Sequence, residues 1–184
     1  MISHLLETIA NALDARRISY MIIGGQAVLV HGEPRMTKDV DVTLGVSADR
    51  LGDILLMVSS LGWEVMVETP ESFVKRTMVL PCRDPLSGLR IDLIFSFSSY
   101  ERNAIARAVK IRLGETDVRF ASAEDLVIHK ILAGRPRDIE DVRLVIVKNP
   151  GIDESYIRSW LAQFGAAFET DYVLRFETVR DSLR

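Results

Sequence analysis

One cysteine, three histidines and a formal net charge of only −3 are what this 184-residue chain brings to the chemistries that need more of each. A lone Cys82 cannot close an internal disulfide, and no histidine partner is recognisable in sequence to make it a thiol nucleophile. His31 and His129 form no metal-ligand spacing with it, which argues against a zinc site and leaves both as structural residues. Ser72 and Ser96 lack the context of a nucleophile elbow. No apolar run approaches bilayer length, and no signal peptide precedes Ile2-Ser3-His4-Leu5, so the expected compartment is the cytoplasm, with no membrane partner. The slight negative charge excludes the broad basic surface of a nonspecific nucleic-acid binder. Only local basic clusters remain, around Arg102–Arg119 and Lys130–Arg143.

What is present suits a folded domain: 48% hydrophobic and 27% charged residues leave room for a real core. The expected fold class is α/β (α+β), a mixed sheet with flanking helices. Residues 1–121 form the core and 122–184 a C-terminal helical region packed on it. Helical spacing of Ile2, Leu5, Leu6, Ile9 and Leu13 opens the chain with an amphipathic helix. Strands are expected at Ile18–Ile23, Asp39–Leu44, Trp63–Glu68, Thr77–Leu80 and around Ile91–Phe95, and a strand pair at Val109–Leu113 and Thr116–Phe120. Pro81–Gly88 reads as a turn. A helix from Ser47 or Ala48 to about Leu61 ends at Gly62. Beyond Ser98, helices are expected at about Ser99–Ala108, Ala123–Ala133, Pro136–Lys148, Asp153–Phe164 and Ala167–Ser182.

The most informative residues are Asp39 and Asp41, one residue apart in Lys38-Asp39-Val40-Asp41-Val42. On a strand they share a face while Val40 and Val42 enter a core. Held side by side, two such charges repel unless a cation lies between them, and carboxylate oxygens suit Mg²⁺ or Mn²⁺. Upstream, Gly24-Gly25 closes the apolar run Tyr20–Ile23 and lets backbone amides approach an anion closely. The glycines alone are equally consistent with an ordinary strand-to-helix turn. Asp92 interrupts the apolar run Ile91–Phe95, and burying it unpaired would be costly. It either completes the metal cluster from a neighbouring strand or pairs with Arg90.

Gly24-Gly25, Asp39-Val40-Asp41 and a later Asp92 together resemble the signature of the nucleotidyltransferase superfamily that includes DNA polymerase beta. Gly24–Val28, Arg35–Asp41, Glu124-Asp125-Leu126 and Lys130–Asp141 are further similar to minimal bacterial nucleotidyltransferases, among them the toxins of abortive-infection toxin–antitoxin systems. The resemblance implies Mg²⁺-dependent transfer of a nucleoside monophosphate from an NTP such as ATP to a hydroxyl on a protein, a tRNA or a small molecule, and an antitoxin partner if the chain is a toxin. It implies metal ligation and catalysis by Asp39, Asp41 and Asp92, with phosphates held by Gly24, Gly25 and Lys130. Arg35 and Thr37 share the parity of the aspartates, so both join the expected nucleotide-binding set; Arg35 either contacts a phosphate or neutralises the carboxylates. Lys130 has the alternative of a solvated lysine, and Arg135, Arg137, Asp138 and Asp141 that of a salt-bridged helix start. The competing reading is a catalytically idle nucleotide sensor or interaction module.

Overall fold

The computed structural model describes residues 2–33 and 37–183. Seven strands form one mixed sheet in the order β3-β4-β5-β2-β1-β7-β6. They are β1 Tyr20–Ile23, β2 Asp39–Leu44, β3 Glu64–Val65, β4 Val79–Arg83, β5 Arg90–Phe95, β6 Val109–Leu113 and β7 Thr116–Phe120. The helices are α1 Ile2–Ala15, α2 Gly24–His31, α3 Leu51–Ser60, α4 Pro70–Thr77, α5 Ser99–Ala106, α6 Ala123–Ala133, α7 Pro136–Lys148, α8 Glu154–Phe168 and α9 Tyr172–Asp181. One contiguous set of buried side chains runs from Leu5 on α1 through the central strands to Phe176 and Val179 on α9. None of the described helices is long and apolar enough to cross a membrane.

Local chemistry sets the boundaries near the site. β2 alternates exposed Asp39 with buried Val40 and Val42, the period of a strand with one covered face. Ser122 caps α6 by accepting from the Asp125 amide, and Gly134 ends it at φ +63. Pro136 then opens α7 at its first position.

Several expectations differ from the structure, among them the last helix, which begins at Tyr172 rather than Ala167 because α8 runs on to Phe168. Cys82 lies in β4, fully buried, and the turn starts only at Asp84, whose carboxylate accepts from the Leu86 and Ser87 amides. The strand expected over Trp63–Glu68 shrinks to Glu64–Val65, and α4 follows where no helix was read. α4 spans only eight residues with Val74 as its one buried side chain, shorter than the stretch over which a helical period can be read.

Candidate active site

Strand pairing assembles the carboxylates. β2 runs parallel to β5 with Asp41 beside Asp92 and Asp39 beside Arg90. Paired residues project from the same face, so Asp39, Asp41 and Asp92 share a shelf. On its other flank β2 is antiparallel to β1 with Ile23 beside Asp41, so the chain leaves β1 directly against that carboxylate. Gly24 occupies this point at φ +63, and a Cβ there would fall inside the Asp41 carboxylate. Both facts demand glycine. A Cβ on Gly25 would likewise run into the Thr37 side chain.

Gln26, buried at the start of α2, donates to Thr37 Oγ1 and to the Asp39 carbonyl at 3.3 Å. It ties the glycine turn to the entry of β2, a tethering role that its place in the Gly-Gly-Gln string did not reveal. Arg35 lies outside the described residues.

Burial, followed by the charges of Asp39 and Asp92, pushes the Asp41 carboxyl up to about 6, while Lys130 and Arg90 pull it back. Arg90 donates from Nε to Asp92 Oδ1 at 2.9 Å, the ion pair weighed as the alternative for Asp92. As placed, no three His, Cys, Asp or Glu side chains among the described residues stand close enough to hold one metal ion. The donor set nevertheless fits a hard divalent cation. Three carboxylates share one face, two in direct register, and burial together with their mutual charge raises the pKa of Asp41. The Arg90 contact on Asp92 is half-exposed and breakable.

The wall facing this shelf comes from α6 and α7. Ile23, Gly24, Gly25, Thr37, Lys38, Asp39 and Asp41 line one side of a cleft of about 600 Å³, and His129, Lys130, Ala133, Arg135, Arg137 and Asp138 the other. Lys130 is buried with its Nζ 2.7 Å from Asp138 and 2.9 Å from Asp141, both also buried. It is therefore neither a solvated lysine nor a free cation, although its charge reaches Asp41. Sequence spacing brought Asp138 and Asp141 no closer than a helix start; only the packing of α7 on α6 turns them onto the lysine. His129 meets Tyr100 edge-to-face with ring centroids 5.6 Å apart, and its buried Nδ1 has no hydrogen-bond partner among the described residues. Burial lowers its pKa. His31 donates from Nε2 to the Ala121 carbonyl at 2.7 Å and serves the scaffold.

Residues 2–160 match the family described as a nucleotidyltransferase of unknown function, DUF6036. The chain belongs to this family. It is thereby an enzyme of the class that transfers phosphorus-containing groups, within the nucleotidyltransferase superfamily. No curated protein matches this nucleotidyltransferase. Among solved structures it is similar to ANT(2")-Ia in complex with adenylyl-2"-tobramycin, at 20% identity over 90% of this chain and 98% of that one, TM-score 0.62. An antigenic nucleotidyltransferase-like protein from Paracoccidioides brasiliensis is similar at 23% identity over 78% and 74%, TM-score 0.56. Lincomycin-bound LnuA, a lincosamide antibiotic adenylyltransferase, is similar at 13% identity over 74% and 91%, TM-score 0.52. At these identities the likeness is one of fold.

Proposed function

We propose that this nucleotidyltransferase moves a nucleoside monophosphate from an NTP to a hydroxyl acceptor at the Asp39–Asp41–Asp92 shelf. The observation that carries the reading is the register Ile23–Asp41–Asp92, which sets the glycine turn against one carboxylate and a second carboxylate beside it. Asp39, Asp41 and Asp92 would hold Mg²⁺ or Mn²⁺, which when bound neutralises phosphate charge and makes the hydroxyl more acidic. The amides of Gly24 and Gly25 receive the phosphate tail, with Thr37 at the entry of β2; Arg35 joins them on the sequence pattern alone. Lys130, fixed by its two aspartates, contributes a positive charge behind the cleft rather than a mobile contact. The acceptor oxygen bonds to the α-phosphorus as the α–β bridging bond breaks; pyrophosphate leaves and the hydroxyl proton passes to Asp92.

ANT(2")-Ia and LnuA are described with antibiotics bound, which supports a small hydroxylated acceptor over a large one. The cytoplasmic toxin of a toxin–antitoxin pair is the part of the proposal that rests on resemblance alone. Growth arrest on induced expression, relieved by Asp41→Asn, is its test.

Thermal-shift measurements with ATP, GTP, CTP and UTP test the core of the reading. Stabilisation that requires Mg²⁺ and vanishes in EDTA is expected; stabilisation unchanged by EDTA overturns it. Transfer of α-labelled NTP onto small molecules, RNA or protein in a lysate separates an enzyme from a nucleotide sensor, which leaves no covalent label.

A further inference from the structure

On the side of Asp92 away from the glycine turn, the sheet carries a second charged feature. The register Glu64 beside Arg83, Arg83 beside Arg90 and Arg90 beside Asp39 sets four side chains in one row across β3, β4, β5 and β2. All four are exposed. Adjacent strands lie about 4.8 Å apart, so the two arginines are neighbours on one face. Like charges placed directly opposite destabilise a sheet. Arg90 is relieved by Asp92, but Arg83 has no side-chain partner among the described residues. The fold does not need the pair for packing, since Cys82 and Ile91 fill the covered face behind it.

The nucleotide cleft opens over β1 and β2 toward α6 and α7, whereas β4 and the first turn of β5 lie beyond Asp92. That is the side from which an acceptor would approach. We propose that Arg83 and Arg90 form an anion seat for the acceptor, holding a phosphate on the molecule whose hydroxyl is modified. Arg90 stands one two-residue step along β5 from Asp92, roughly 6–7 Å between backbones, and its guanidinium reaches that carboxylate. Guanidinium groups match phosphate oxygens as paired donors. Glu64 and Asp39 close the row at both ends and confine the seat to a single phosphate rather than a long polyanion. The substrate class is a hydroxyl compound bearing a phosphate ester, and a polycationic acceptor is disfavoured. The inference rests on the nucleotidyl-transfer reading, in which Asp92 faces the acceptor.

The test measures binding with Mg²⁺ and saturating α,β-methylene-ATP, so that the nucleotide side is filled and no transfer occurs. The probes are a 5′-labelled triribonucleotide with a free 3′-hydroxyl, ribose 5-phosphate, and unphosphorylated ribose. At least one phosphate probe is expected to bind and ribose not to. Arg83→Glu is expected to weaken that binding by about tenfold, and Arg83→Gln by less in the same direction. Stabilisation by the ATP analogue is expected to stay as in the wild type for both variants. Binding of the triribonucleotide alone assigns the phosphate to a nucleic-acid end, and binding of ribose 5-phosphate alone to a small metabolite. Failure of both phosphate probes, or binding unaltered by Arg83→Glu, overturns the seat. Failure of the ATP analogue to stabilise the wild type in Mg²⁺ instead overturns the nucleotidyl-transfer reading beneath it.

Discussion

Two clusters of aspartates face each other across the same cleft, and they are built on opposite electrostatic terms. At the α6–α7 junction Asp138 and Asp141 close on the buried Lys130 ammonium, so their charge is met within the fold. On the β2–β5 shelf Asp39, Asp41 and Asp92 sit in adjoining register, offset among the described residues by the charge of Lys130 across the cleft and by the half-exposed Arg90. The first cluster is an internal fastening. The second carries a repulsion that a ligand must relieve. Carboxylates alone therefore do not mark a site; carboxylates without a resident cation do.

The largest test of that contrast is Asp41→Asn. It should lower transfer about a thousandfold or more, because several kcal/mol of transition-state stabilisation depend on the shelf. The variant should fold normally, with a melting temperature equal to or above that of the wild type. Retained activity, or an unfolded variant, would break the contrast from the shelf side.

Lys130→Ala should break it from the other side. Removing the cation leaves two buried carboxylates unmatched, at a cost of about 3–5 kcal/mol read by urea unfolding. A loss below about 1 kcal/mol would mean that the pair is not a fastening.

Acidity separates the clusters more finely. Asp41 titrates at about 6 in the folded protein, above its ordinary value of 3.8, so the native state binds the proton more tightly than the unfolded chain. Stability from this group is present below pH 4 and is lost as pH rises from about 4 through 6, a change of order 2–3 kcal/mol. The difference between wild-type and Asp41→Asn unfolding profiles over that range isolates it. Added Mg²⁺ should abolish the difference, and a flat difference in its absence would show that the shelf bears no strain.

The smallest effect is expected for Gly24→Ala. The positive φ alone costs about 1–2 kcal/mol, and the new methyl group must displace the Asp41 carboxylate. Calorimetry should show the loss, and ATP-dependent stabilisation in Mg²⁺ should fall with it.

Much of the shelf was readable before any coordinates, because its signals are local. The bounds of β2 follow from the alternation of Asp39, Val40, Asp41 and Val42, and those of α6 and α7 from Ser122, Gly134 and Pro136. α4 is not legible in the sequence because eight residues are too few to establish a helical period. The opposite wall was illegible for a different reason. Lys130, Asp138 and Asp141 meet only when two helices pack, and Gln26 finds Thr37 and Asp39 only after the intervening segment folds back. The arginine row depends on registers among four strands, of which β3 is shorter than its sequence suggests and β4 extends through Pro81–Arg83, which read as a turn.

The cleft draws one wall from residues 23–41 and the other from residues 129–138, and the sheet that aligns the first wall inserts β7 beside β1. A ribosome delivers these pieces in order. The glycine turn and all three shelf aspartates are synthesised before the lysine, the two arginines and Asp138 that face them. A product terminated ahead of α6 thus carries all three shelf aspartates and no opposing wall. The two-walled cleft exists only when the last third of the polypeptide has left the exit tunnel and docked.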